Sequence, residues 1–357
     1  MHYMHCLLWG LRRNIYTPGA LRGSFRTKPT MKKFIQTSAL IFAIILALAA
    51  CASNEVHTGI TTEPMTALPT NVATFIVSTA TEATQAAAPT ISMTEIVVPE
   101  QSDQRTSSID GMPEIYIPEG TFRMGGMDVR SAPDEMPAHD VTLSGYWMDQ
   151  LEVTNAMYML CVKSGTCKPP QSFKSQRRPE YFNDPEFNDY PVIYVTWGQA
   201  KTYCEWAQRR LPTEAEWEHA ARGDDWRTFP WGEDKADGLR ANYNMLVGDT
   251  SRVGTYPLGA SPFGILDMAG NVAEWTNDFY NGSYYARLTD AINPLGPETG
   301  LGLRRVVRGG SLGDAEINIR VPKRSAVVGS DLRSSPDSNA YLGEFSPRIG
   351  FRCVADE

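Results

Sequence analysis

The sequence predicts a loop-rich fold of short strands and short helices rather than a helical bundle. The chain contains 29 Gly, 24 Pro and eight Trp, a composition typical of folds with many turns. From about residue 110 onwards, turn residues and helix-start signals bound only short segments of regular pattern. With 357 residues, of which 42% are hydrophobic, the chain is long enough to bury a full core.

The first predicted elements are strands. Ile115–Pro118 and Thr121–Gly125 are predicted as two strands joined by a tight turn, because both are rich in β-branched, aromatic and apolar residues. Val141–Leu143 and Tyr146–Met148 are predicted as a second pair. Val192–Val195 is a further candidate strand.

A helix is predicted between these strands. Thr154 can cap its first turn, the helix extends to about Lys163, and Gly165 ends it. Cys161 and Cys167 flank this end. In an oxidising compartment such a pair is expected to form a local disulfide, whereas a redox role is disfavoured because the spacing is not Cys-x-x-Cys.

Two further helices are predicted from capping boxes. Thr196 is followed three residues later by Gln, and Thr213 by Glu216, and both boxes precede helical spacing of apolar residues. The second helix contains Glu214, Glu216 and Glu218, which could be taken for an acid–base cluster. We expect them instead to complement the helix N-terminus and to face solvent.

The first 50 residues have the layout of a signal peptide, and residues 1–30 could be a spurious extension from an early start codon. A basic start at Met31–Lys33 precedes an apolar run ending in Leu-Ala-Ala before Cys51. This ending resembles the bacterial lipobox, so we expect Cys51 to carry a lipid and the protein to be extracytoplasmic; a transmembrane anchor is the alternative. Residues 51–109, rich in Thr, Ala and Pro, are predicted as a disordered tether, and 110–357 as the folded domain.

The charge of the chain argues against nucleic-acid binding. The formal net charge is −8. Residues 1–50 contain seven of the 33 Lys and Arg and none of the 41 Asp and Glu, so the remainder carries −15. A surface this acidic repels a phosphate backbone.

The segment Asp267–Thr276 is the most unusual stretch of the chain. Hard oxygen donors alternate there with small or apolar residues, which suits a loop around Ca²⁺. A buried turn whose polar groups satisfy backbone donors explains the same residues equally well. These ten residues alone leave both interpretations open.

A series of motifs closely resembles the formylglycine-generating enzyme, or sulfatase-modifying factor, family. The matching motifs, collinear over about residues 112–355, are Phe122-x-Met-Gly, Glu152-Val-Thr-Asn, Pro191-Val-x-x-Val-Thr-Trp, Tyr203-Cys-x-Trp, Arg210 to Glu218, Pro230-Trp-Gly, Ala241-Asn-Tyr, Gly270 to Trp275, Arg308-Gly-Gly-Ser and Gly350-Phe-Arg-Cys. Each motif is weakly specific, whereas the whole series is strongly specific.

The resemblance implies an α+β fold related to C-type lectins, with low regular secondary structure and calcium ions in its loops. The residues that match one family calcium site are Asp267, Gly270, Val272 and Glu274, the two central ones through their carbonyls. The residues that match a second site are Asn242, Tyr243 through its carbonyl, Asp249 and Ser251. Glu152 matches a position linked to calcium, though a buried hydrogen-bonding anchor is an alternative. The resemblance also implies a structural disulfide between Cys204 and Cys353.

The sequence departs from the family at the residues that carry its oxidase chemistry. In the family, two cysteines bind Cu(I) and allow O₂ to oxidise a cysteine of a sulfatase-type peptide, and these positions are Asp314 and Ile319 here. Cu(I) is soft and prefers thiolates, so copper is not expected. No catalytic residue is therefore assigned. The histidines that follow the predicted signal peptide are His57, His139 and His219, and their spacing forms no metal-binding pattern either.

Three functions remain open. The leading hypothesis is an exported lipoprotein without oxidase activity that binds a peptide, protein or glycan in a calcium-braced groove, which aromatic side chains could line. The alternative is an active oxidase that modifies a cysteine of exported sulfatases. A third is a structural or signalling lipoprotein that docks to a partner. In each case the membrane is contacted through the lipid anchor only.

Overall fold

A computed structural model describes residues 103–288, 291–329 and 343–357. The predicted signal peptide, the lipidation residue Cys51 and the tether as far as residue 102 lie outside the described residues. The described part contains three α-helices and eleven strands, numbered here in chain order and joined by 3₁₀ turns and long irregular segments. It holds no helix with the length and hydropathy to cross a bilayer.

The first sheet contains both ends of the described chain. Its strands are β1 (Gln104–Thr106), β2 (Pro113–Ile117), β5 (Tyr146–Asp149) and β11 (Val354–Asp356). They pair antiparallel in the order β1-β2-β5-β11. β1 lies before residue 110, where the sequence places the start of the domain, and covers the free edge of β2.

Two further sheets complete the β structure. One contains β3 (Gly120–Met124), β4 (His139–Leu143) and β7 (Ala291–Ile292), in the order β3-β4-β7. The other contains β6 (Ala273–Phe279), β8 (Arg304–Arg308), β9 (Ser325–Val328) and β10 (Ile349–Gly350), in the order β10-β6-β8-β9. β10 runs parallel to β6, whereas β8 is antiparallel to both β6 and β9.

The four strands predicted before residue 150 exist, but the second predicted pair does not form. β4 and β5 belong to different sheets, since β4 pairs with β3 and β7 while β5 pairs with β2 and β11. The turn between β2 and β3 likewise carries the chain from one sheet to another. Alternating apolar residues mark a strand but carry no information about its partner, so local pattern could not distinguish a hairpin from a crossover.

Val192–Val195 is not a strand, contrary to the sequence-based expectation. The segment is buried, and Val192 N donates to the Val153 carbonyl, but Tyr194 has a φ of 58°. A residue in this left-handed region interrupts the extended conformation that a strand needs. The apolar composition therefore predicted correctly that the segment is buried, but wrongly that it forms a strand.

All three predicted helices form with the predicted caps. They are α1 (Asn155–Lys163), α2 (Trp197–Trp206) and α3 (Glu214–Arg222). Thr154 accepts from Met157 N at 3.3 Å, and full capping boxes open α2 and α3. Gly223, with a φ of 71°, follows the last residue of α3.

The acidic residues of α3 do not face solvent as predicted. Glu214, Glu216 and Glu218 are all at least 92% buried. Arg308 donates to Glu214 at 2.7 Å and to Glu218 at 2.6 Å, and Arg324 donates twice to Glu214. These arginines lie about 90 or more residues further along the chain, so no pattern within the helix could reveal them.

Two disulfides tie the helices into the core. Cys161 and Cys167 form the predicted local bridge at the end of α1. Cys204 of α2 is bonded to Cys353, just before β11, with 5.6 Å between the two Cα atoms. Both residues of this second bridge are fully buried. Both pairings are thereby confirmed.

Candidate functional site

A groove of about 360 Å³ lies at the sheet formed by β6, β8, β9 and β10. Each strand contributes one apolar side chain to its lining, namely Ala273, Val307, Val327 and Ile349. The described lining residues include no aromatic ring. Two of the tryptophans, Trp217 and Trp275, are fully buried in the core instead.

The rim of the groove is polar. Ser311, Asp314, Asn318, Lys323 and Arg348 contribute to it. The chain enters this rim through a tight turn at Gly309–Gly310, where both glycines have positive φ. A Cβ at Gly310 would lie 2.6 Å from the Asn318 carbonyl oxygen, so only glycine allows this close approach.

Asp314 and Ile319, the positions of the family's copper cysteines, have separate environments. Asp314 lines the groove, and its Oδ2 accepts from Ser311 N at 2.8 Å and from Ser311 Oγ at 2.7 Å. Ile319 is fully buried among Phe229 and Ala269 in a small apolar cluster. The aspartate thus closes its own turn, while the isoleucine belongs to the core.

The first predicted calcium loop is bonded directly to the groove. Gly270 N donates to the Gly309 carbonyl at 3.0 Å, and Leu312 N donates to the Asn271 carbonyl at 2.8 Å. Asp267, Gly270 and Asn271 all have positive φ, so the loop is a sequence of sharp turns. Any ion that fixes this loop would also fix the turn that carries Ser311.

The second predicted calcium loop joins the same network. Asn271 N donates to the Asn242 carbonyl at 2.7 Å, which connects the two loops. Asn244 N donates to the Asp314 carbonyl and Met245 N to the Leu312 carbonyl. The groove rim therefore rests on both loops.

Three buried carboxylates at and beside the first loop repel one another. Glu152, Asp267 and Glu274 are all buried, and their one close arginine within the described chain is Arg352. Arg352 donates to both oxygens of Glu274, at 2.7 and 2.8 Å. One oxygen of Glu152 has no hydrogen-bond partner among the residues described. If all three ionise, the cluster carries two uncompensated negative charges.

The pKa values in this cluster reflect that excess. Burial, followed by the charges of Asp267 and Glu274, raises the pKa of Glu152 well above its ordinary value. Burial also raises the pKa of Asp267 to about 6. A proton or a metal cation would relieve the same repulsion.

The second set of predicted ligands contains an unpaired buried oxygen. Asn242 is fully buried, and its Oδ1 has no hydrogen-bond partner in the described part of the chain. The Asp249 carboxylate accepts from Ser175 Oγ, Arg177 N and Thr250 N. Such an orphaned amide oxygen among buried polar groups is costly unless a hydrogen-bond donor or a cation pairs with it.

Over the described residues, no three His, Cys, Asp or Glu side chains form a metal-ligand cluster by position. Both predicted sites depend instead on two acidic or amide side chains together with backbone carbonyls. Tyr243, Gly270 and Val272 would contribute only their carbonyl oxygens. Carbonyl oxygens are among the ligands that a hard cation such as Ca²⁺ prefers.

Three charged side chains of the candidate site escaped sequence reasoning. Arg352 belongs to a recognised motif, but its pairing with Glu274 joins residues 78 positions apart. Lys323 and Arg348 stand in no motif at all. No local pattern marks them, since Arg348 has Glu344 four residues before it and Lys323 lies near Glu135, a residue distant in the sequence.

Residues 99–357 match the family described as sulfatase-modifying factor enzyme 1-like domain. The chain belongs to the sulfatase-modifying factor family. A formylglycine-generating enzyme from Thermomonospora curvata is 32% identical over 313 residues, which cover 72% of this chain and 97% of that protein. Serine/threonine-protein kinase Pkn1 from Chlamydia trachomatis is 33% identical over 254 residues, covering 68% of this chain and 38% of the kinase.

Solved structures confirm the fold of this sulfatase-modifying factor domain. PvdO from Pseudomonas aeruginosa aligns with a TM-score of 0.58 and 24% identity, covering 72% of this chain and 99% of PvdO. The predicted α+β, C-type-lectin-like architecture with few regular elements is therefore correct.

Proposed function

We propose that this domain is a sulfatase-modifying-factor-like binding module without oxidase activity. The observation that carries the proposal is the donor set of the groove. Asp314 offers a hard oxygen and Ile319 a buried hydrocarbon where the family has thiolates. The four cysteines of the described residues are all joined in disulfides. These side chains do not fit Cu(I), which prefers thiolate ligands.

The groove suits a polypeptide better than a glycan. Its floor is aliphatic, and the described residues give it no aromatic face on which a sugar ring could stack. Ile317, which precedes the lining residue Asn318 in the chain, is an exposed apolar side chain. Aliphatic pockets flanked by hydrogen-bonding groups are typical of sites that hold peptide side chains.

Calcium is proposed as the brace of this groove. Asp267, Glu274 and the carbonyls of Gly270 and Val272 would hold one ion. Asn242, Asp249, the Tyr243 carbonyl and Ser251 would hold a second. The unpaired Oδ1 of Asn242 and the excess of carboxylates around Glu152, both seen within the described residues, support this assignment. The ions would neutralise buried charge and hold the two loops on which the rim rests.

The proposed location is the outside of a bacterial membrane. A lipid on Cys51 would anchor the chain, and the Thr-, Ala- and Pro-rich residues 51–109 would hold the domain away from the bilayer. Acidic residues dominate after residue 50, which limits direct attraction to anionic lipids. The groove would then meet ligands of the cell envelope.

A groove-filling substitution tests the binding function. Ser325 is exposed and lines the groove, so Ser325→Trp should block it without disturbing the core. We expect the full chain, loaded with calcium, to retain members of a random peptide library and the variant to lose them. Gln176→Trp, which places the same bulky ring at an exposed position outside the groove, is the matched control. Retention on a glycan array alone would reject the polypeptide ligand.

An oxidase assay tests the alternative function, which the Thermomonospora curvata relative favours. The full chain is incubated with copper and a Cys-x-Pro-x-Arg peptide, and aldehyde is sought by mass spectrometry. We expect no product and no Cu(I) binding. The double variant Asp314→Cys with Ile319→Cys returns two thiols and should bind Cu(I). Aldehyde from the unmodified chain would overturn the proposal.

A further inference from the structure

The described lining of the groove carries a net positive charge, although the chain as a whole is acidic. Its described lining contains two cations, Lys323 and Arg348, and one carboxylate, Asp314. The whole chain, by contrast, has a formal net charge of −8. We infer that the groove binds polypeptides through an acidic group, a specificity that rests on the proposed peptide-binding function.

Arg348 is the main evidence for an anionic ligand. Within the described residues its guanidinium makes no hydrogen bond and no ion pair, although the side chain is half-buried. The buried arginines Arg308, Arg324 and Arg352 are all paired with glutamates. A guanidinium presents a planar pair of donors that matches a carboxylate, so an unpaired one in a groove is suited to an acidic group.

Close packing fixes the position of Arg348. Its guanidinium lies over Gly313, where an added Cβ would collide with Nη1. Gly313 thus leaves room for the arginine beside the turn that carries Asp314. Part of the ordering cost of a long side chain is therefore met before a ligand binds.

Lys323 adds to the same charge. Its Nζ lies 3.8 Å from Glu135 Oε1, but Arg320 already donates to both oxygens of this glutamate, at 3.1 and 3.2 Å. Two cations therefore share one carboxylate. The surplus charge faces the groove, which Lys323 lines and Arg320 does not.

Asp314 does not cancel these two cations. Its Oδ2 accepts two hydrogen bonds from Ser311, so it points into its own turn. One formal positive charge remains for a ligand. A groove of about 360 Å³ has the size to take one acidic residue and its neighbours.

A peptide library tests the charge preference. Hexapeptides with random composition are prepared in two sets, with amidated and with free C-termini, and are exposed to the full chain in calcium. We expect retained peptides to be enriched in Asp and Glu, or to require the free carboxylate. The two sets thereby separate a side-chain acid from a chain terminus.

Matched variants locate the effect in the groove. For the best acidic peptide, Arg348→Gln and Lys323→Gln should each raise the Kd roughly tenfold, whereas Arg348→Lys should cost less. Lys174→Gln removes the same charge from an exposed residue outside the groove and should leave Kd unchanged. Thermal unfolding of each variant verifies that it is folded.

The possible outcomes distinguish this specificity from the binding function. If neutral or basic peptides are enriched and Ser325→Trp blocks them, the function stands and the acidic preference is wrong. If acidic peptides bind Arg348→Gln as tightly as the unmodified chain, the preference is also wrong. If no peptide is retained, the binding function itself fails.

Discussion

At the scale of single residues, Asp278 is a carboxyl group whose ionisation the fold opposes. It is 97% buried, and its Oδ2 accepts from Glu214 N at 2.8 Å. Burial, followed by the charge of Glu214, raises its pKa to about 8. The folded chain therefore holds this proton at pH values where the unfolded chain has released it.

This difference predicts a pH-dependent stability. Because the folded pKa is raised, the stability due to Asp278 is complete below about pH 4 and is lost as the pH rises towards 8. Asp278→Asn cannot ionise but keeps an acceptor for Glu214 N. Between pH 5 and 7.5 the free energy of unfolding of the unmodified chain should fall, relative to the variant, by up to about 1.4 kcal/mol per pH unit.

Urea denaturation at several pH values measures this difference. Asp140→Asn, at an exposed residue, is the control and should follow the unmodified chain. Parallel pH profiles of Asp278→Asn and the unmodified chain would show that Asp278 does not titrate as described.

Buried charge is also where sequence reasoning was least informative at this scale. Glu214 and Glu218 of α3 have the spacing of a solvated helix face, yet both are buried in ion pairs with Arg308 or Arg324. That Arg348 lacks a partner among the described residues is equally invisible, because it depends on every neighbour in space. Residue type and helical spacing describe the segment that carries a charge, but not the segments packed against it.

At the scale of elements, the helices were predictable and the strand partners were not. A cap is a local interaction, as between Thr213 and Glu216 N, so a short window contains all its atoms. The partner of β5, by contrast, is β11, where Met148 faces Val354 across more than 200 residues. The same is true of the candidate site. Its calcium loops could be predicted from local motifs, whereas the groove beside them could not.

The two disulfides are elements with unequal expected effects. Cys204 and Cys353 are 149 residues apart, whereas Cys161 and Cys167 are six apart. By loop-closure entropy, replacing the first pair with Ala should lower the free energy of unfolding by roughly 5 kcal/mol, and replacing the second by roughly 2 kcal/mol. Urea denaturation of both double variants makes each the control for the other. Equal losses would contradict the entropic account.

The calcium loops give a prediction at the same scale. If they bind Ca²⁺, added calcium should raise the midpoint of thermal unfolding, and a chelator should reverse the shift. At a calcium concentration roughly 100 times the Kd, the free energy of unfolding should rise by about 2.7 kcal/mol. Asn242→Ala removes the unpaired Oδ1 and should reduce the calcium-induced shift.

The control for this measurement is Asn188→Ala, an exposed asparagine outside both loops. Its calcium-induced shift should equal that of the unmodified chain. If neither calcium nor a chelator changes the unfolding midpoint of the unmodified chain, the proposal that calcium braces the loops is wrong.

At the scale of the whole molecule, the proposed lipid anchor predicts different effects for the substitution of two cysteines. Both cysteines lie outside the described residues. Cys51 follows the predicted signal peptide, and Cys6 lies within its possible extension. Cys51→Ser should move the chain from the membrane fraction of a bacterial host to the soluble fraction, because a lipidated cysteine is the proposed attachment. Cys6→Ser should leave the distribution unchanged. Immunoblots of the fractions measure both, and a membrane-bound Cys51→Ser would indicate a spanning segment instead.

The position of β1 determines how the domain responds to mechanical force. β1 is an edge strand held by three register pairs to β2, and the groove belongs to a sheet that shares no strand with it. A pulling force applied from the N-terminal side would first separate β1 from β2, one residue pair after another. The ligand site could thus stay intact while the attachment point yields.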